Sequence, residues 1–96
     1  MSDTYSGVTS RVGESGIVYV EPTRGDEPGG HRSSSFTLNG VEWRHWYQPV
    51  EYNTNHGVKT AFRRQASRDG VKVSVADYVE AFCRVRQAVV DEVAAA

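Results

Sequence analysis

The 96-residue chain has one cysteine, three prolines and one methionine, and it lacks any long apolar run. Cys83 has no second cysteine with which to form an internal disulfide, which favours a cytoplasmic protein over a secreted one. No stretch approaches the roughly 18 to 20 apolar residues of a membrane span, and no basic-then-apolar leader opens the chain. We therefore expect a cytoplasmic protein that has no membrane partner.

The chain also has no large excess of either charge, since it contains 11 Lys and Arg and 12 Asp and Glu, for a net charge of -1. This balance argues against a histone-like or ribosomal-type protein. Hydrophobic residues make up 39% of the chain, which suffices for one modest core and one small domain. Arg and Val greatly outnumber Lys and Ile, a bias typical of GC-rich codons, so we infer a high-GC bacterium or one of its phages as the source.

The first half of the chain contains one clear turn signal. Asn39-Gly40 lies between two alternating apolar segments, and both residues tolerate the positive φ of a type I′ turn. The pattern predicts a hairpin over about 35–48 that pairs Phe36 with Trp43 and ends before Pro49. The Ser-, Thr- and Gly-rich segment 1–16 predicts a flexible arm or a weak edge strand. The domain proper is then 17–96, with a short strand at 17–20 and a mobile loop at 21–35.

Helical spacing dominates the second half of the chain. Val58, Ala61, Phe62 and Ala66 form one stripe of a predicted helix over about 57–68, which Gly70 would end. A second helix is predicted over about 76–93, with Ser74 as its N-cap. The segment 71–75 alternates and fits either a strand or the lead-in to that helix. The predicted fold is an α+β domain in which a small antiparallel sheet, made of the hairpin plus one or two short strands, packs against two helices.

Basic residues concentrate in segment 57–72, where Asp69 is the sole acid. On the predicted helix they would share the face opposite Phe62, and guanidinium and ammonium groups in such an array suit phosphate oxygens. An ordinary solvated face that meets the acidic groups of the last helix, or an acidic protein partner, explains the same pattern. The basic residues of this segment are Lys59, Arg63, Arg64 and Arg68, which lie on the predicted helix, and Lys72, which follows it.

Two further features point to binding. Trp46 beside Arg44 should point away from the core of the hairpin, as binding hot spots do, unless the N-terminal arm or the 21–35 loop covers it. Arg86 interrupts the apolar stripe of the last helix, which would fit a homodimer seam or the wet end of an ordinary core contact. Tyr47 adds a second aromatic side chain to this possible interface.

Signals for catalysis and for a metal are weak. The spacings of His31, His45, His56 and Cys83 match no zinc motif, and Cys83 lies on an apolar stripe as a small hydrophobe. A small ribonuclease would need an arrangement such as His45, Tyr47 and an arginine from 63–68, which nothing in the sequence specifies. We therefore predict no catalytic residue, no metal and no cofactor.

The sequence thus favours a non-enzymatic accessory or regulatory module that contacts nucleic-acid phosphates through the basic segment, with Arg44 and Trp46 beside it. The alternative is a protein-interaction module, such as a small inhibitor or adaptor of a host protein, that uses its exposed aromatics and its C-terminal helix. The two differ in salt response, because phosphate binding falls steeply with salt.

Overall fold

The computed structural model describes residues 3–26 and 32–96, and in these ranges it contains a seven-stranded antiparallel sheet and one helix. The strands are β1 (Tyr5–Ser6), β2 (Val8–Val12), β3 (Val18–Asp26), β4 (Arg32–Leu38), β5 (Val41–Thr54), β6 (Gly57–Arg68) and β7 (Val71–Val73), and the helix is α1 (Val75–Ala95). The predicted fold of a small sheet on two helices is therefore wrong.

The segment predicted as the first helix is a strand. Twelve residue pairs join β6 to β5, from Thr54↔Gly57 to Trp43↔Arg68. Val58, Phe62 and Ala66 recur every four residues, a spacing that places them on one face of a strand as well as on one stripe of a helix. The stripe alone was therefore ambiguous, and pairing with β5 decided the outcome.

β5 also runs past the predicted end of the hairpin at Pro49. It reaches Thr54, and Pro49 pairs with Phe62 within the ladder. β4 covers the other edge of β5 only from Val41 to His45. Pro49 thus lies where β5 has β6 as its only partner in the described part of the chain, and a strand edge tolerates a residue that has no N–H.

The predicted turn at Asn39-Gly40 is confirmed. Asn39 and Gly40 have φ values of 52° and 79°, and Phe36 pairs with Trp43. Asn39 also secures the N-terminal segment, because its Oδ1 accepts a hydrogen bond from the Thr4 backbone N–H at 2.8 Å.

The N-terminal segments share the outer edge of β4. β1 pairs with its end, Tyr5 opposite Leu38, and the second half of β3 pairs with its beginning. Where the two meet, Gly7 adopts a φ of 77°, and its carbonyl oxygen accepts hydrogen bonds from the Thr23 backbone N–H at 2.8 Å and the Thr23 hydroxyl at 2.7 Å. β2 then turns away from β4, and among the described strands it pairs only with β3. Strands thus occupy parts of 1–16 and 21–35, while 27–31 lies outside the described residues.

The C-terminal helix extends slightly beyond its predicted bounds of 76–93. Ser74 caps it, since the Ser74 hydroxyl accepts a hydrogen bond from the Asp77 backbone N–H at 3.1 Å. β7 precedes the cap, so the segment 71–75 is a strand followed by the lead-in to the helix. The buried side of α1 consists of Tyr78, Ala81, Val85 and Val89.

The core lies between α1 and one face of the sheet. Phe36, which is 2% exposed, is at its centre, with ring centroids 5.2 Å from Tyr78, 5.5 Å from Phe82 and 6.5 Å from Trp43. Side chains alternate along a strand, and paired residues of neighbouring strands share a face. The pairing therefore defines a helix face, which contains Phe36 and Trp43, and an open face, which points away from α1.

A two-stranded ribbon extends beyond this core. β4 does not pair with β5 beyond His45, and β7 pairs with β6 only from Ala66 onwards. The remaining segments, 46–54 and 57–65, pair only with each other in the described part of the chain, and we call them the arm. Nine strand residues span about 30 Å, in keeping with a molecule whose longest dimension is 58 Å.

Candidate functional site

Basic side chains of three neighbouring strands share the open face. Arg44 of β5 pairs with Ser67 of β6, which in turn pairs with Lys72 of β7. Further along the arm, the same alternation places Arg63 and Lys59 on this face. The polar and aromatic neutral residues beside these cations include Trp46, Gln48, Tyr52 and Gln65, each opposite or next to a basic residue in the register, and Val50 and Ala61 lie between Arg63 and Lys59.

The cations of the open face follow the length of β6. Arg63 and Lys59 are four residues apart on β6, or about 14 Å. Arg44 and Lys72 flank Ser67 another four residues along, so this basic row of four cations extends over about 27 Å. Glu42 is the one acidic side chain that the register of β5, β6 and β7 places on this face, and it lies at the end next to the Asn39-Gly40 turn. The charged side chains on the arm part of the open face, Arg63 and Lys59, are therefore both basic.

Arg44 and Trp46 form one unit on this face. The guanidinium carbon of Arg44 lies 4.9 Å from the centroid of the Trp46 ring. A guanidinium over an indole is held by the quadrupole of the ring. Trp46 is half-buried, and Ser67 close by is buried. Because Arg44 covers one face of the ring, Trp46 orients a cation and does not offer that face to a stacking base.

The remaining two basic residues of the predicted set lie on the opposite side of the sheet. Arg64 and Arg68 belong to the helix face, since they pair with Tyr47 and Trp43. The guanidinium carbon of Arg68 lies 5.7 Å from the centroid of the Trp43 ring. The predicted helical face would have joined all these residues, but a strand separates Arg63 from Arg64 because neighbours point to opposite faces.

The helix face brings together three residues named in the ribonuclease hypothesis. Arg64 Nε donates a hydrogen bond to His45 Nε2 at 3.1 Å, and the rings of His45 and Tyr47 pack edge to face at 5.3 Å. Burial, and then the charge of Arg64, hold the pKa of His45 below its usual value. The Nε2 lone pair is thus engaged by a cation, which makes His45 a poor general base at that atom.

The other candidates lie apart from these two groups. Arg86 is exposed, outside the buried side of α1. Cys83, which the sequence placed on an apolar stripe, is exposed on the same helix. His56 lies in the turn at the tip of the arm, and His31 lies outside the described residues. Within 3–26 and 32–96, no three His, Cys, Asp or Glu side chains form a group that suits a metal ion.

Sequence reasoning missed the neutral members of the open face, notably Gln48, Tyr52 and Gln65. The alternation of Arg44, Trp46 and Gln48 was visible in the sequence. It carried little weight, however, because β5 was expected to end at Pro49 and β6 was expected to be a helix.

No family model, curated protein or solved structure matches this chain. None of the helical segments in the described ranges has the length and apolar content needed to cross a membrane. The function must therefore be argued from the geometry of the sheet itself.

Proposed function

We propose that the protein binds nucleic acid through the open face of β5, β6 and β7, with Arg44, Arg63, Lys59 and Lys72 as phosphate contacts. The observation that carries this proposal is that the charged side chains of this face beyond Glu42 are all basic and extend over about 27 Å, from Arg44 and Lys72 to Lys59. Evenly placed Arg and Lys side chains fix a phosphate backbone without reading its sequence.

The shape of the arm supports the same proposal. A two-stranded β-ribbon fits the major groove of B-DNA, which is about 12 Å wide. Within residues 3–26 and 32–96, no helix packs on the open face of the arm, and its cations are long side chains that can reach phosphates on either side. Trp46 contributes by holding Arg44 in place over the sheet, which lowers the entropy cost of ordering that guanidinium.

Salt dependence provides the first test. With four phosphate contacts, counterion release predicts that affinity for duplex DNA falls about 150-fold between roughly 50 and 200 mM salt, and affinity for a single strand about 50-fold. The measurement is fluorescence anisotropy of the full chain with mixed-sequence duplex DNA, single-stranded DNA and RNA. All of these oligonucleotides carry 5′-hydroxyl ends.

Neighbouring residues of β6 provide matched variants. Lys59→Gln with Arg63→Gln removes two charges from the open face, whereas Arg64→Gln with Arg68→Gln removes two from the helix face of the same strand. We expect the first pair to weaken binding and to halve the salt slope, and the second to change neither. Circular dichroism of both pairs confirms that the fold is retained. Equal loss from both pairs, or no binding at 50 mM salt, contradicts the proposal.

A protein partner is the second candidate, favoured by apolar exposure on the other side of the arm. Val58 and Phe62 share the helix face of the arm and are 63% and 40% exposed. A complex centred on these residues should be lost on Val58→Ser with Phe62→Ser and should respond weakly to salt. Nucleic-acid binding through the open face should survive the same pair of substitutions.

A further inference from the structure

A second polar cluster lies on the helix face, where the arm leaves the rest of the sheet. Arg24, Ser34 and His45 are register neighbours across β3, β4 and β5. Tyr78 of α1 packs over them, with its ring centroid 5.4 Å from that of His45. Arg64 of β6 joins these residues through its side-chain hydrogen bond to His45. We call these five residues the junction cluster.

The junction cluster has more donors than its own hydrogen bonds use. Ser34 Oγ and Tyr78 Oη are 2.6 Å apart, and only one of the two hydroxyl protons can lie between them. Arg64 binds His45 through Nε, so its two Nη groups take no part in that bond. With Nε2 as the acceptor, a neutral His45 carries its proton on Nδ1.

The charge of the cluster is positive. Burial raises the pKa of the Tyr78 phenol, while the Ser34 hydrogen bond and the charge of Arg24 act in the opposite direction. The charge that acts on His45 is that of Arg64. Among the described residues, no carboxylate contributes to either shift. Asp26 pairs with Arg32 one row away, where a negative and a positive side chain offset each other.

We propose that the junction cluster is an oxyanion site that takes a phosphate group between Arg24 and Arg64, with a hydroxyl of the Ser34–Tyr78 pair as a further donor. Guanidinium forks match phosphate oxygens in geometry and charge. The site lies on the opposite side of the sheet from the open face, so its test is independent of the test for nucleic-acid binding through the open face. The phosphate could belong to a small phosphate ester or to the 5′ end of a nucleic acid.

Inorganic phosphate is the probe for the first experiment. The full chain is titrated with sodium phosphate against sodium chloride of equal ionic strength, and NMR follows the Arg Nε–H and His side-chain signals. We expect saturable shifts in wild type, and binding at least about tenfold weaker in Arg64→Gln and in Arg24→Gln. Arg68→Gln, on the same strand and face but beside Trp43, is the control and should bind as wild type does.

Arg24→Gln distinguishes loss of phosphate binding from loss of folding, because Arg24 is an exposed side chain whose replacement should leave the core intact. Linear, unsaturated shifts in wild type would overturn the proposal. So would an equal loss in the Arg68 control, which would indicate general charge screening.

The source of the phosphate is then assigned by competition. A 5′-phosphorylated oligonucleotide that displaces phosphate, when its 5′-hydroxyl twin does not, identifies a nucleic-acid end. Phosphate binding that neither oligonucleotide displaces excludes a nucleic-acid end, and displacement by a small phosphate ester then assigns the source. Arg63→Gln should leave phosphate binding unchanged, because Arg63 lies on the open face. Loss of phosphate binding at the junction cluster can therefore be distinguished from loss of nucleic-acid binding at the open face.

Discussion

Two phenylalanines test where the core ends and the arm begins. Phe36 is 2% exposed and touches three aromatic rings, whereas Phe62 on the arm is 40% exposed. Phe36→Ala should cost about 3 to 5 kcal/mol, since it removes a buried ring and leaves a cavity. Full burial of a Phe side chain contributes about 1.5 to 3 kcal/mol. The partly buried ring of Phe62 should therefore cost roughly 1 to 2 kcal/mol, with no cavity to add.

These losses are large compared with the free energy of unfolding of the entire domain. A 96-residue domain has a free energy of unfolding of about 5 to 14 kcal/mol, so Phe36→Ala should remove about a fifth of it at the least and most of it where the domain is marginal. Phe36→Leu is the milder companion, because it keeps much of the apolar volume and loses only the ring contacts, at about 1 to 3 kcal/mol. Urea unfolding at 25 °C, followed by far-UV circular dichroism, measures all three variants.

The relative size of the stability losses in Phe36→Ala and Phe62→Ala tests the division into core and arm. Equal losses for Phe36→Ala and Phe62→Ala would refute the division into a core under α1 and a two-stranded arm. A change in the slope of the urea transition for Phe62→Ala alone would mean that the arm unfolds as a separate unit, which the division permits.

Two further predictions concern a buried histidine and a turn residue. Because the pKa of His45 is lowered in the folded protein, the unfolded chain takes up that proton first, so stability present above about pH 6.5 is lost as the pH falls below it. His45→Gln should flatten this dependence in urea titrations; an unchanged pH dependence in the variant would contradict the assignment. Asn39→Gly keeps a residue that accepts the φ of 52° and keeps the backbone bond from the N–H of residue 39 to the Thr4 carbonyl, but it loses the side-chain bond to the Thr4 N–H, so hydrogen exchange in β1 should accelerate while the core amides stay protected. Unchanged exchange in β1 would show that Asn39 does not secure it.

Much of the local structure could be read from the sequence where two signals agreed. Turn chemistry and alternation both pointed to the Asn39-Gly40 hairpin, and a capping serine with apolar spacing pointed to α1. Local signals of this kind reflect neighbours in sequence, which a single chain displays directly.

The error arose where the apolar spacing fits two structures. Val58, Phe62 and Ala66 recur every four positions, as on one face of a strand or one stripe of a helix, and Ala61 and Gly70 wrongly favoured the helix. The conformation of segment 57–68 depends on twelve residue pairs with β5, which are tertiary contacts. That pairing places Arg63 and Arg64 on opposite faces and brings Arg64 to His45. Neither feature could be predicted from the sequence, because the pairing itself could not.

The arm also constrains how the chain can change in length. Removing one residue from each strand, for example Val50 and its partner Ala61, would turn every side chain beyond that point to the opposite face. Tyr52 and Lys59 would then point to the side of α1, and the basic row would stop at Arg63. Removing two residues from each strand would shorten the ribbon by about 7 Å and keep its two faces as they are. Insertions and deletions that preserve this surface should therefore come in even numbers on both strands, and lengths that differ by one pair should carry a different tip.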